Sequence, residues 1–350
     1  MKTADLDYDL PEALIAARPT ERRDGARLLV VEESGLRDST VDTLAELIPE
    51  RALLVVNDTR VRRARIFGTK QGSGGRVELL FIRRLALTPA GERWQAIGRS
   101  SKPIRIGTVV QWEGSTLTVL ERSEDATFVV DVATPGVDFE QLLDQRGHLP
   151  LPPYMRRTDE LADLERYQTV YARRTASAAA PTAGLHLTPA LFERLSARGV
   201  QVARLELEIG LGTFRAVSAL DLDEHPMHAE TIAVGSDVVL AVDQARERGA
   251  PVVAVGTTVV RALESAADPA QPGRIRALSG ETRLLIQPGY QFSVVDALLT
   301  NFHVPQSTLL ALVSAFAGYS RVMSAYRHAV AARYRFLSYG DAMWIPKRLA

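Results

Sequence analysis

The stretch from Phe292 to Gly318 constrains the fold more than any other. Phe292 to Leu299 is an apolar run that reads as a buried strand, and it stops at the polar triplet Asn301-Phe302-His303. Pro305 blocks continuation, Ser307 stands where a helix needs its cap, and Leu309 to Ala317 reads as an apolar helix. A strand that hands over to a helix through Asn, His and Ser sets those side chains at its C-terminal end. In open α/β sheets that is where ligands sit. A buried histidine satisfied by backbone would leave the same local pattern, so one such joint does not decide the matter.

The architecture recurs. Ala52 to Val56 is strand-like and runs into Asn57-Asp58-Thr59-Arg60; Pro251 to Val255 runs into Gly256-Thr257-Thr258 and a helical pattern from Val259 to Ala266. Ala178 to Ala180 leads through Pro181-Thr182-Ala183-Gly184 to His186. There Thr188 is a cap, Pro189 suits a first helical turn and Gly199 suits the end. Asp, Arg, Thr and His at several such joints exceed what core packing requires. A shared pocket is the economical explanation.

Between these joints the pattern changes. From Ile66 to about Gly147, short alternating runs are separated by turn residues such as Gly72-Ser73-Gly74-Gly75, and the first helical pattern begins only at Phe139. The expected fold is therefore an α/β main domain, residues 1–65 and 148–350, carrying an inserted small all-β, barrel-like domain at 66–147. Further along, the sequence predicts helices over Asp163 to Arg174, Val234 to Arg248 and Tyr319 to Tyr334, and a short strand at Leu284 to Gln287.

Composition narrows the chemistry. The 350 residues contain no Cys, which excludes disulfides, thiolate metal sites and a Cys nucleophile, and fits a reducing compartment. The first residues, MKTADLDYDLPEAL, carry acids and no apolar stretch, so they are not expected to act as a secretory signal. No apolar run reaches the ~20 residues of a membrane span. Formal net charge is zero, which argues against nucleic-acid binding through the whole surface. Locally, Arg60, Arg62, Arg63 and Arg65 form a dense cationic run that can neutralise phosphates.

Other motifs are weaker. Gly72 to Gly75 reads as a hairpin turn. Gly210-Leu211-Gly212 lacks the third Gly and the helix of a dinucleotide fingerprint, and no Walker motif is present. Gly256-Thr257-Thr258 can hold an anion at a helix N-terminus or simply cap it. His225, His228 and Glu230 do not share one helical face, so no metal is expected. His228 with Glu230 reads better as a polar pair. His186 and His303 are the stronger histidine candidates, and Asp58, Glu230, Glu264 and Asp341 lie in or beside the polar joints. For Glu264 the expectation is a structural ion pair.

Taken together, LLVVNDTRVRRARIFG, GHLPLPPYM, ERYQTVYA, AAPTAGLHLT, GLGTFRAV, VGTTVVRALES, PGYQFSVVDALLTNFHVPQSTLLALVSAFAG and YRFLSYGDAM resemble, nearly end to end, the S-adenosylmethionine:tRNA ribosyltransferase-isomerase family of queuosine biosynthesis. The resemblance implies a cytoplasmic, monomeric transferase away from membranes. It implies S-adenosylmethionine as a consumed substrate, no separate cofactor, and a tRNA anticodon stem-loop as partner. It implies ribosyl transfer to the aminomethyl nitrogen of a 7-deazaguanine at the wobble position, with adenine and methionine leaving and epoxyqueuosine formed. Proton abstraction at C5′ next to the sulfonium calls for a base.

On that footing His303, His186 and Glu230 are the catalytic candidates. Asp58, Arg60, Thr182, Gly184, Thr257, Thr258, Arg261, Asn301 and Asp341 are the substrate-binding candidates, and Arg62, Arg63 and Arg65 the tRNA-binding ones. Glu208 stands where the family usually has His, Ala229 where it has Ser, and Arg62-Arg63 where Ile-Pro is commoner. These departures keep a second reading open, a related S-adenosylmethionine-dependent transferase with another acceptor. A noncatalytic RNA-binding module is disfavoured by the polar strand ends, and a methyltransferase by the lack of a Gly-rich loop after the first strand.

Overall fold

The structure is a computed structural model that describes residues 1–89, 91–123, 127–209, 217, 219–227 and 229–349, with Thr175 and Ala176 as backbone only. The Gly210–Gly212 segment and His228 lie outside the described residues. The chain forms two compact units. One comprises Met1–Arg60, Pro152–Arg157 and Glu165–Ala350; the other comprises Val61–Leu151 and Thr158–Leu164.

In chain order the strands of the first part are β1 (Arg27–Glu32), β2 (Gly35–Thr40), β3 (Leu53–Asn57) and β4 (Thr59–Val61). Then come β5 (Arg65–Lys70), β6 (Arg76–Thr88), β7 (Gly91–Ser100), β8 (Val109–Trp112), β9 (Ser115–Arg122) and β10 (Thr127–Ala133). The remaining strands are β11 (Arg174–Ser177), β12 (Gln201–Leu207), β13 (Glu230–Val234), β14 (Val252–Val255), β15 (Leu278–Thr282), β16 (Ala297–Asn301) and β17 (Ala342–Ile345). The helices are α1 (Leu44–Leu47), α2 (Phe139–Arg146), α3 (Asp163–Arg166), α4 (Pro189–Ala197), α5 (Ser236–Glu247), α6 (Thr257–Ser265), α7 (Thr308–Ala317) and α8 (Tyr319–Ala331).

Among the described residues, the larger unit holds a nine-stranded mixed sheet in the order β15-β13-β12-β3-β14-β16-β17-β1-β2. β12, β3, β14 and β16 are mutually parallel at its centre. β3, β14 and β16 are buried at every position, as strands covered on both faces must be. One face packs Val55, Ala254 and Leu298 against α5, α6, α7 and α8; the other packs Val56, Val255 and Leu299 with α1, α4 and the Thr182–His186 turn. Alternation along each strand assigns these faces. Thr188 caps α4 by accepting from the Leu191 amide, and Ser307 caps α7 by accepting from the Leu310 amide.

The smaller unit holds a closed barrel in the order β10-β7-β6-β5-β8-β9, antiparallel throughout its pairs. Phe139, at the start of α2, sits in the barrel core with Phe81, Trp94 and Trp112 in edge-to-face contacts. The buried Glu92 side chain accepts from the Trp94 indole at 2.9 Å and from the Phe139 amide at 2.8 Å, which joins helix to barrel.

Several local expectations need correction. The strand expected at Phe292 to Leu299 is Ala297–Asn301, because residues 293–295 give their amides to a side chain rather than to a neighbouring strand. That side chain is Glu264. Its carboxylate accepts from the Ser293, Val294 and Val295 amides at 2.9–3.0 Å, so the expected ion pair is in fact a backbone clamp. The helix expected over Asp163 to Arg174 stops at Arg166, and Arg174–Ser177 is strand. No strand forms at Leu284 to Gln287; pairing with β13 instead selects Leu278–Thr282.

The clamp yields a prediction. Glu264→Ala orphans three amides that the fold keeps from water, and lowers unfolding free energy by about 3 kcal/mol in denaturant titration. Glu264→Gln restores only part, since its amide offers one acceptor oxygen. A loss well below 1 kcal/mol for the alanine variant contradicts the role.

Candidate active site

The parallel centre of the sheet brings four strand ends to one edge: Asn57, Leu207, Val255 and Asn301. Antiparallel β13 and β17 start at that same edge with Glu230 and Ala342, so Asp341 arrives there as well. Asn57 extends the ladder by side chain, donating to the Leu207 carbonyl at 2.9 Å and accepting from its amide at 3.2 Å.

The Thr182–His186 turn is the centre of the site. It packs on the end of β16 and on the start of α6, where Ala183 faces Gly256, whose φ of 94° belongs to the left-handed region. Arg23 fastens the turn from outside, donating to the Gln168 carbonyl at 2.9 Å, the Glu165 carbonyl at 2.7 Å and the Leu185 carbonyl at 3.4 Å. Gly184 is a glycine because the Tyr171 hydroxyl and the Thr169 methyl occupy the place of a side chain.

Around this turn, buried polar atoms stand without hydrogen-bond partners: Thr169 Oγ1, Tyr171 Oη, His186 Nε2 and Asn301 Oδ1. The Asn301 amide nitrogen is taken, donating to the Leu337 carbonyl at 2.9 Å, which leaves its oxygen free. Buried polar groups are nearly always satisfied, so four unpartnered atoms around one turn make it the candidate site. The set holds two hydroxyls, an amide carbonyl acceptor and an imidazole nitrogen. Among the described residues no group of His, Asp and Glu has the arrangement to hold a metal ion.

Burial pushes His186 down to about 4, against the pull of Asp341, the Asn301 side chain and the Arg23 backbone. His303 is also pushed down to about 4 by burial. Both rings are therefore neutral at pH 7. They belong to opposite faces of the β16 end. His186 neighbours Asn301, whereas His303 Nε2 lies 3.1 Å from Thr300 Oγ1, one residue earlier and on the other face. The Thr300 hydroxyl can donate to the Asn301 carbonyl at 3.3 Å; with that bond made, His303 donates from Nε2 and keeps its lone pair on Nδ1.

The other candidates divide by what already occupies them. Thr257 and Thr258 are buried at the N-terminus of α6, while in the Thr182–His186 turn Thr182 is half-buried and Gly184 is buried. Arg261 is buried, ion-paired to Glu230 and donating to the Leu284 carbonyl at 3.0 Å, with Nη2 unused. Asp341 is filled: it accepts from the Arg27 amide at 3.0 Å and the Arg335 amide at 2.7 Å, and pairs with the Arg27 guanidinium at 3.2 Å. That makes it a latch on the C-terminal turn. Asp58 is half-buried, its carboxyl raised by burial and held back by Arg173. Arg60 is exposed on β4.

In the barrel unit, Arg62 pairs with Glu140 at 3.3 Å and Arg65 with Glu78 at 2.9 Å, while Arg63 donates to the Gly147 and Asp144 carbonyls at 2.8 Å. Of the run of arginines, Arg62, Arg63 and Arg65 have partners within the protein, while Arg60 is exposed. Sequence reasoning missed Tyr171, Thr169 and Arg23 as site residues. Thr169 and Tyr171 lie in the stretch ERYQTVYA, which reads as part of a helix and as a family motif.

A model of the family described as queuosine biosynthesis protein matches residues 3–345. The chain belongs to that family. Among its relatives, the S-adenosylmethionine:tRNA ribosyltransferase-isomerase of Sorangium cellulosum is 54% identical over 99% of this chain and 98% of its own length. The protein of the same name from Geobacter metallireducens is 48% identical over 99% of this chain and 100% of its own. The crystal structure of S-adenosylmethionine tRNA ribosyltransferase from Thermotoga maritima is 34% identical, with a TM-score of 0.54, and covers 97% of this chain and 99% of that one. This member of the queuosine biosynthesis family thus matches its relatives from end to end.

Two predictions follow from the geometry. Gly184→Ala drives a methyl group into the Tyr171 hydroxyl and forces the turn to shift; ligand binding is lost in calorimetry even where the variant stays folded by circular dichroism. The second concerns pH. Each histidine is depressed to about 4 in the fold and is near 6.5 when unfolded, so the unfolded chain binds the extra protons as pH falls. Their stabilising contribution is complete above pH ~6.5 and is lost between there and pH ~4. His186→Gln flattens that part of the stability–pH curve, and an unchanged slope contradicts it.

Proposed function

We propose that this chain transfers and isomerises the ribosyl moiety of S-adenosylmethionine onto the 7-aminomethyl-7-deazaguanine at the tRNA wobble position. Adenine and methionine leave, and epoxyqueuosine-tRNA forms. The observation that carries the reading is the full-length match, 54% identical, to a ribosyltransferase-isomerase. Relatives at 48–54% identity carrying one name do not favour the second reading, a transferase with another acceptor.

The chain's own residues fit the demands of that reaction. The first-turn amides of α6, after Gly256 and with the Thr257 and Thr258 hydroxyls, suit the methionine carboxylate. Asn301 Oδ1 as acceptor and the Tyr171 and Thr169 hydroxyls as donors suit the polar edge of adenine. Burial and the Asp58 charge hold the Tyr171 phenol up and protonated, so it donates. His186 offers a neutral imidazole with an unpaired Nε2 to the C5′ proton, and its conjugate acid is a strong donor to departing adenine. His303 keeps the role of alternative base through Nδ1. Glu230, neutralised by Arg261, serves better to hold that guanidinium.

S-adenosylmethionine is consumed, no further cofactor takes part, and the anticodon stem-loop docks with a monomer in the cytoplasm. The barrel is an insert in the catalytic α/β fold.

The test is single-turnover adenine release with saturating S-adenosylmethionine and aminomethyl-deazaguanine tRNA. His186→Ala lowers the rate by ~10²–10⁴ while both substrates still bind. His303→Ala and Glu230→Gln fall less. A near wild-type rate for His186→Ala removes it from the chemistry. Adenine release by the wild-type protein only with some other acceptor establishes the second reading instead.

A further inference from the structure

The barrel unit carries a cleft of about 710 Å³ lined only by residues of that unit. Its walls are the β5–β6 turn, the segment after β7 and the entry to β8. Lys70, Lys102 and Arg105 line it, and none of its lining residues is acidic. Elsewhere on this unit five arginines meet carboxylates: Arg62 with Glu140, Arg65 with Glu78, Arg84 with Glu92, Arg93 with Asp131 and Arg146 with Glu113. Lys102 and Arg105 are exposed and have no ion pair among the described residues. In a chain of zero net charge, this concavity concentrates cations that the protein leaves uncompensated.

The cleft is also built in advance. Lys70 Nζ crosses it to donate to the Lys102 carbonyl at 2.9 Å and the Pro103 carbonyl at 3.2 Å. Ser100 Oγ donates to the same Lys102 carbonyl at 2.7 Å, and the Arg105 amide donates to Thr108 Oγ1 at 3.0 Å. Gly72 and Gly107, both at positive φ, have nothing within 4 Å of where a Cβ would stand, so a bulky chain can approach the backbone there. No aromatic ring lines the cleft to stack a base. Its volume exceeds what one small anion fills.

We infer that this cleft binds the sugar-phosphate backbone of an RNA, and that it is a tRNA-holding surface set by charge rather than by base identity. The inference rests on the tRNA reading of the function. Phosphates would lie against Lys102 and Arg105, with Lys70 as the strut between the walls. Contacts of this kind position the RNA and carry no sequence information.

The experiment measures binding of full-length tRNA to the intact protein across a salt series, and in parallel adenine release at saturating tRNA. Lys102→Glu and Arg105→Glu each weaken tRNA binding at least several-fold and flatten the slope of log Kd against log salt by about one unit. Both leave the saturated rate of adenine release unchanged. Arg327→Glu, an equal charge reversal on an exposed arginine of α8, leaves affinity and slope as they are. Unaltered tRNA affinity in both cleft variants overturns the inference while the functional reading stands. An equal loss in Arg327→Glu also overturns it, since the effect is then one of overall charge. Competition of the tRNA by millimolar inorganic phosphate at constant ionic strength overturns it in favour of a small-anion site. Wild-type protein that binds tRNA but releases no adenine from S-adenosylmethionine sinks the functional reading and leaves the surface intact.

Discussion

α6 carries two buried charges one turn apart, and the site depends on both. Arg261 reaches β13 through Glu230 and also donates to the Leu284 carbonyl; Glu264 gathers the amides of residues 293–295. Burying a carboxylate is unfavourable unless hydrogen bonds replace its water, and here three backbone amides do so. The result fixes the chain immediately before β16. It therefore fixes where β16 ends, and with it Asn301 and His303. The N-terminus of the same helix begins at Gly256 beside the Thr182–His186 turn. One short helix thus sets both the floor of the site and the strand that delivers its polar side chains.

The edge is finished by polar groups that hold its geometry. Asn57 continues the β3–β12 ladder past its backbone limit. Asp341 holds the start of β1 and the Arg335 turn with its two oxygens, and Arg27 spreads over the Tyr334 ring with its guanidinium carbon 4.1 Å from the ring centre. Asn301 grips the Leu337 carbonyl, in a turn where Leu337 itself adopts a φ of 71°. A bulky residue in the left-handed region persists only where its surroundings enforce it. These polar residues are spent on geometry, which is why the few that remain unspent, Tyr171, Thr169, His186 and Asn301 Oδ1, stand out.

Much of the scaffold was legible in the residues. Fully apolar runs at Ala52 to Val56 and Pro251 to Val255 announce central parallel strands, and Thr188 and Ser307 cap where their spacing says they should. Short alternating runs with Gly-rich turns announce the barrel strands. The failures share one cause. Phe292 to Val295 is as apolar as a strand, but a distant carboxylate claims its amides. Leu284 to Gln287 loses to Leu278–Thr282 because β13 sets the register. Asp163 to Arg174 has helical periodicity, yet its second half turns inward to bring Thr169 and Tyr171 to Gly184. Local pattern reports which face is apolar; it does not report which long-range partner takes the backbone groups.

The same limit applies to charge. Counted along the chain, Arg60 to Arg65 is the densest cationic run, and density alone nominates it for phosphate. In the fold, Arg62 and Arg65 find carboxylates and Arg63 finds two carbonyls, partners that the linear count does not reveal. Lys70, Lys102 and Arg105 are scattered over 36 positions of sequence and form no motif, yet the barrel closes them around one cleft without an acid. A phosphate responds to the field that remains after every internal pairing, and that field is a property of the sheet register rather than of the sequence order.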